Sequence, residues 1–333
     1  MLSLGKSGLG IEDEMLRSWE TDFYRVQAIV ASDSGEEKRL EVVSQVAPRV
    51  QKASFINDVR VPLSQFVGSL PTVTFLPRDL DLFTGAPAER RRFLDQLLCQ
   101  VSPPYLQALS QFQQALKQRN ALLKKLNFSG GSRDELLPWN LALAQSGSVI
   151  TSLRLELMET FGLSLVAETQ ALGERWKEVT VFYERSGSAA SIVDLQNEYS
   201  QTLLKNAERD ILLQTTTAGP HREDWTLLTD GHRIGETASR GQQRVGLLSL
   251  LFLQASYLEL RTGERPVILL DDVCSELDDA HQERLLQSFS GNQVFLTGVH
   301  VPSMAPNDLQ IIEMIDETKL KVKSEKLKVL EGI

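Results

Sequence analysis

The sequence predicts an α/β fold built from a mostly parallel core sheet, an antiparallel β lobe and an inserted helical arm. Three observations carry this. Pro266 to Leu270 is an unbroken apolar run of strand length, the pattern of a strand buried on both faces of a parallel sheet. Phe23 to Val30 and Arg39 to Val46 alternate apolar and polar residues around the turn Asp33-Ser34-Gly35-Glu36, which reads as an antiparallel hairpin. Two long stretches with apolar residues at helical spacing meet at Ser129-Gly130-Gly131-Ser132, the signature of a helical hairpin.

In chain order, Gly5-Lys6-Ser7 resembles the end of a phosphate-binding loop. Only four residues precede Gly5, with neither a first glycine nor a strand, so it is read as a decoy. A helix is expected over Glu12 to Trp19. After the hairpin, Phe55-Ile56-Asn57-Asp58 leads into another short strand. Thr72 to Leu76 reads as a buried strand, ended by Pro77-Arg78-Asp79-Leu80. A helix then runs from Pro87 through Asp95, with proline in its first turn. Arg90, Arg91 and Arg92 point about 100° apart around it, so at most two share a face; a solvated surface is the favoured reading, with a DNA or interdomain contact as the alternative.

In the arm, Leu109, Phe112, Leu116, Leu123 and Leu126 follow three- and four-residue steps broken only by Arg119. Trp139, Leu143, Ile150, Leu153, Leu157 and Phe161 continue the pattern on the second helix. Lys117, Arg119, Lys124 and Lys125 near the tip read either as phosphate contacts or as a solvated tip. Val179 to Tyr183 is a strand and Ser191 to Leu213 a helix. Gly219-Pro220-His221-Arg222 leads into a strand, Trp225 to Thr229, with a turn at Asp230-Gly231. Val245 to Leu253 is apolar nearly all round, a buried helix far short of the ~20 apolar residues of a membrane span. Ala280 to Phe289 is a helix and Gln293 to Thr297 a last core strand, continuing the parallel sheet. The lysines of Lys319 to Lys328 are interrupted by Glu325 and read as a solvated face. The organisation expected is residues 1–85 as the N-terminal part of a head with the lobe, 86–215 as the arm, and 216–333 as the C-terminal part of the head.

At 333 residues with 42% hydrophobic and 24% charged residues, the composition is that of an ordinary globular chain of about two domains. The net charge of −9 excludes a surface that is basic overall, so any nucleic-acid contact must come from local patches. Cys99 and Cys274 have no metal-ligand spacing, and no signal peptide is evident, so a soluble cytoplasmic chain is expected.

The chemistry concentrates between Ser239 and Asp278. Asp271 and Asp272 close a buried strand, where open α/β sheets place ligands. Adjacent carboxylates there read either as N-caps of a strand-to-helix turn or as ligands of a cation such as Mg²⁺ carrying nucleotide phosphates. Upstream, Ser239-Arg240-Gly241-Gln242-Gln243-Arg244 opens a helix and offers backbone N–H groups and a hydroxyl to an anion.

Together, Gly219 to Arg222, Ser239 to Arg244, Leu269 to Asp272 and Ser275 to Asp278 resemble the RecF family of the ATP-binding-cassette superfamily, over nearly all of residues 1–300. The resemblance implies a cassette-type ATPase head, slow hydrolysis of ATP with Mg²⁺, and an ATP-dependent homodimer. Each site would combine a P-loop and metal carboxylate of one chain with the signature loop of the other. Asp271 would bind Mg²⁺ and Asp272 would act on the attacking water. Ser239, Gly241 and Gln242 would close on the partner's γ-phosphate, and Asp278 would couple the two sites. His221 and Arg222 are placed near the catalytic core because their tetrapeptide matches. The switch residue would fall near Thr297, and His300 is not assigned that role. Leu76 and Arg78 depart from the family, which more often has Ser and an acidic residue there. Implied partners are DNA at single-strand/double-strand junctions and recombination mediators of one pathway, in DNA repair, replication and the SOS response, with no membrane.

No G-x-x-x-x-G-K-[ST] occurs in these residues. The expectation is therefore a chain that starts after the nucleotide-cradling loop, with a full ATP site needing that loop. Two other readings stand beside the repair ATPase: a non-hydrolysing scaffold that binds DNA and partners, and, more weakly, the cytosolic ATPase of a transporter.

Overall fold

The structure is a computed structural model and describes residues 1–8, 13–18, 21–45, 51–300, 310–316 and 319–323. Of the helix expected over Glu12 to Trp19, a single 3₁₀ turn spans Asp13–Leu16, and Glu12 and Trp19 lie outside the described residues.

The lobe is a four-stranded antiparallel sheet of β1 (Phe23–Ala31), β2 (Glu37–Gln45), β3 (Gln51–Ile56) and β4 (Val59–Val61), in that order. Strand alternation turns Leu40 and Val42 inward, where they meet Phe66 of the short helix α1 (Leu63–Phe66). Asn57 and Asp58 both adopt positive φ, which lets β3 fold back onto β4 in a tight turn.

β5 (Thr72–Phe75) belongs to the parallel core. A 3₁₀ helix over Pro77–Asp81 leads to α2 (Pro87–Val101), α3 (Pro103–Ser129) and α4 (Leu137–Ala171). α3 and α4 pack along each other as the arm, with a 3₁₀ turn at Arg133–Leu136. β6 (Val179–Glu184) follows. The helix expected over Ser191 to Leu213 divides at Asn206 into α5 (Ile192–Lys205) and α6 (Ala207–Leu213). β7 (Asp224–Thr229) and β8 (His232–Arg233) complete an antiparallel sheet with β6, in the order β6-β7-β8.

After α7 (Ile234–Thr237), the long helix α8 (Arg240–Thr262) is buried continuously from Val245 to Ala255. β9 (Val267–Leu270) follows it, then α9 (Val273–Glu276), α10 (Asp279–Ser288) and β10 (Val294–Leu296). β10, β9 and β5 form a parallel sheet with β9 in the centre, Ile268 lying opposite both Val73 and Val294. Ile268 and Leu270 are buried, whereas Val267 and Leu269 are half-buried, so one face of this strand is less covered than its apolar run suggests. β11 (Ile311–Asp316) and β12 (Lys319–Lys323) form a separate hairpin; residues 324–328 of the lysine-rich stretch lie outside the described residues. One hydrophobic core runs from Val73 and Phe75 through Phe112 and Leu157 of the arm to Leu285 and Phe289.

Two sequence expectations are overturned by packing. The Arg90–Arg92 triplet is not a solvated face. Arg90 is buried and donates to both oxygens of Asp224 (2.8 and 2.6 Å) and to the carbonyls of Leu82 and Gly85. Arg91 donates to the Glu223 carbonyl at 3.0 Å, and Arg92 pairs with Glu89. Arg90 and Arg91 thus fasten α2 to its surroundings, whereas the Arg92–Glu89 pair lies within α2 and Arg92 reaches outward to Asp79 at 4.0 Å. Arg119, the one break in the apolar stripe of α3, is not at a DNA-facing tip. It has no exposed surface and pairs with the equally buried Asp210 of α6 at 2.7 Å.

Candidate functional site

Asp271 leaves β9 at its carboxyl end, its N–H donating to Phe75 O at 3.0 Å. Thr297, just past β10, holds both aspartates. Its hydroxyl donates to Asp271 Oδ1 at 2.6 Å and accepts the Asp272 N–H at 3.1 Å, while its own N–H donates to Leu270 O at 2.9 Å. Asp272 sits in the left-handed region at φ 48°, which costs a non-glycine residue of order 1 kcal/mol. It occupies the N-cap position of α9, yet its side chain caps nothing, and no described residue bonds to its carboxylate. The N-cap reading of this pair is therefore not what the geometry provides. One exposed carboxylate has its Oδ1 satisfied and its second oxygen open, and a half-buried one beside it is unengaged. That donor set suits a hard cation which keeps water and phosphate in its shell and takes only one or two protein carboxylates.

Ser239 is the N-cap of α8. Its Oγ accepts the Gln242 N–H (3.3 Å), and Gln242 Oε1 accepts the Ser239 N–H (3.0 Å), a reciprocal capping box that fixes the loop. Gln242 Nε2 also donates to Glu174 Oε2 at 3.3 Å, tying the loop to the segment just after α4. Gly241 lies in the first turn, where glycine is a poor helix former. A methyl group there would meet nothing nearer than Ser239 Oγ at 3.9 Å, so the packing of this chain does not require the missing side chain. The glycine leaves open surface at a helix N-terminus, where an anion is favoured. Asp278 is the N-cap of α10: its Oδ1 accepts the His281 N–H (2.9 Å) and meets the His281 ring at 2.8 Å, and the backbone bond holds its carboxyl below the usual range.

His221 and Arg222 are not joined by any described bond to the Asp271 or Ser239 groups. His221 Nε2 and Arg222 Nε both reach Thr216 O at 3.1 Å, Arg222 Nη2 donates to Thr215 Oγ1, and the His221 ring lies 5.5 Å from that of Phe112. This is the arrangement of turn residues held by backbone bonds. Their segment is instead a hub for the arm. Arg154 of α4 donates to Pro220 O (3.0 Å), to Asp95 (2.7 Å) and to Tyr105 and Tyr183. Glu223 accepts from Tyr183, Tyr199 and Thr151. None of these partners is separated by a readable sequence spacing; the uncharged run from Leu137 to Leu153 that leads up to Arg154 is the one hint.

Burial pushes the His221 pKa down to about 4. Between about pH 6.5 and 4 the unfolded chain therefore binds a proton that the folded chain does not, and stability falls as pH falls through that window. Urea midpoints are expected to report a loss of about 2 kcal/mol from this group between pH 7 and 5. His221→Gln should flatten that part of the profile, and an unchanged slope would assign it to other groups.

No helix among the described residues is long and apolar enough to cross a membrane. No family model matches the sequence. Curated relatives do. Over 247 residues, 74% of this chain and 67% of the relative, it is 35% identical to the DNA replication and repair protein RecF of Lachnoclostridium phytofermentans. Over 323 residues, 96% of this chain and 85% of the relative, it is 31% identical to the protein of the same name from Bacillus thuringiensis. Among solved structures, one titled as the recombination mediator protein RecF-ATP in the RecFOR pathway aligns with a TM-score of 0.87 at 28% identity, covering 97% of this chain and 86% of that one. The fold and these relatives agree: the chain belongs to the RecF family of DNA replication and repair proteins.

Proposed function

We propose that this chain binds ATP and DNA and assists recombination at single-strand/double-strand junctions, in an ATP-dependent homodimer with mediator proteins of the same pathway as partners. The observation that carries the nucleotide part is the pair of carboxylates at the carboxyl end of β9, one oriented by Thr297 and the other unengaged. The likeness to a RecF structure with ATP supports the choice of ligand. In this reading residues 86–215 form the arm between two parts of one head.

Asp271 would hold Mg²⁺ through the oxygen that Thr297 leaves open. When bound with ATP, Mg²⁺ supplies charge neutralisation for the phosphates. Asp272 orients the attacking water; its side chain is one methylene shorter than glutamate, which suits slow, switch-like turnover. Ser239, Gly241 and Gln242 present hydroxyl and N–H groups at the N-terminus of α8 to the γ-phosphate held by a second subunit, and open space at Gly241 permits that approach. Asp278, at the start of α10, couples the two sites across the interface.

Light scattering on a form of the chain carrying a P-loop tests the sandwich. A dimer is expected with ATP and a monomer without it, with Ser239→Arg remaining monomeric in both. Equal dimerisation with and without ATP would overturn it.

A further inference from the structure

The solvent face of α3 differs from that of every other described helix of ten residues or more. Its 27 residues contain no Asp or Glu, whereas α2, α4, α5, α8 and α10 each carry at least one carboxylate. Phe112, Arg119, Leu123 and Leu126 mark its buried side. At helical spacing, the opposite side presents Gln107, Gln111, Gln114, Lys117, Gln118 and Lys124, all exposed. Neither Lys117 nor Lys124 forms an ion pair with a described residue. The acids on the elements packed against the outer half of α3 are already engaged. Glu135 pairs with Lys125, Glu208 with Arg133, Asp134 accepts from Ser132, and Asp210 is buried against Arg119.

We propose that this stripe tracks the phosphate backbone of duplex DNA. The inference rests on reading the chain as a DNA-binding protein and adds the surface that does it. A chain of net charge −9 repels a polyanion at long range, so contact requires a local surface free of carboxylates. Among the described long helices, α3 alone provides one. From Gln107 to Lys124 the stripe runs roughly 25 Å, the length of about seven base pairs. The lysines displace condensed counterions, and the glutamine amides donate to phosphate oxygens without reading sequence. Beneath the stripe, the buried Arg119–Asp210 pair fixes the rotation of α3, so the polar side faces outward.

Fluorescence anisotropy with a labelled 30-base-pair duplex, with and without ATP, tests this. K117E/K124E is expected to weaken binding at least tenfold, and K117Q/K124Q to reduce the slope of log K against log salt by about 2. Q114K/Q118K should tighten binding and steepen that slope. The double reversal K38E/K177E changes net charge equally on the lobe and before β6, and should leave affinity within about threefold. Unchanged affinity in K117E/K124E, or an equal loss in K38E/K177E, overturns the assignment to α3 while leaving DNA binding in place. Failure of the unsubstituted chain to bind any duplex or junction overturns the DNA reading itself. The exchanged residues are exposed except Lys38, which is half-buried in β2, and thermal melts identify any variant that does not fold.

Discussion

Asp271→Asn is expected to lower Mg²⁺-dependent ATP turnover about 100-fold or more in a form of the chain carrying a P-loop, with almost no change in stability. The two effects separate because of the geometry at Thr297. The amide oxygen of the replacement still accepts the Thr297 hydroxyl that Asp271 Oδ1 now accepts, so the end of β9 keeps its bonds. What would disappear from the proposed site is a negative charge that would offset Mg²⁺, and phosphoryl transfer depends mainly on positioning and charge stabilisation. Thr297→Val should cost less turnover, because the carboxylate remains but loses its donor. Residues 1–333, which contain no G-x-x-x-x-G-K-[ST], are expected to show no turnover above the Asp271→Asn background. Steady-state phosphate release with urea melts on the same samples gives both quantities. Clear turnover by residues 1–333 that Asp271→Asn removes would mean other groups in these residues hold the phosphates. Full activity in the substituted, P-loop-bearing form would remove Asp271 from the metal site.

Replacing Arg119 with alanine is expected to destabilise the protein by about 3–5 kcal/mol, a large share of the stability of a folded domain. Arg119 and Asp210 are both fully buried, 2.7 Å apart. Arg119 also donates to Asn140 Oδ1 (2.7 Å) and Thr216 Oγ1 (2.8 Å), and Asp210 accepts from the Thr217 hydroxyl (2.6 Å) and N–H. Removing the guanidinium leaves the carboxylate without its counter-charge in a region with no water contact. A buried pair, however, contributes less than the cost of breaking it, because both charges were desolvated. Arg119→Met with Asp210→Leu should therefore be far more stable than Arg119→Met alone. If the double substitution costs as much as the two singles summed, the pair is not coupled and Arg119 acts through packing. Urea denaturation of the four proteins measures this cycle.

Periodicity and turn chemistry made much of the fold legible. The lobe hairpin, β5, the two arm helices around Gly130-Gly131, the apolar α8 and the strand ending in Asp271-Asp272 are local patterns, because a strand or helix buries one face with a fixed repeat. The charged residues were not legible in the same way. Arg119 looked like an interruption and the Arg90–Arg92 triplet like a solvated surface. Their partners Asp210, Asp224 and the Glu223 carbonyl lie far away in sequence, and nothing local announces them. For His221 the motif resembles a family pattern, while its ring nitrogen meets Thr216 O five residues away, a bond that the motif does not announce.

By itself the sequence determined the α/β class, the strand-end position of Asp271 and Asp272, and the helix-start position of Ser239, Gly241 and Gln242. Each depends on residues close together along the chain. Only the tertiary structure decided that Thr297 holds Asp271, that Gln242 meets Glu174, and that Gly219 to Asp224 wires the arm into the head. Hydrogen bonds and ion pairs act over about 3–4 Å of space whatever the separation in sequence, so which polar group meets which is settled only once the apolar core has brought them together.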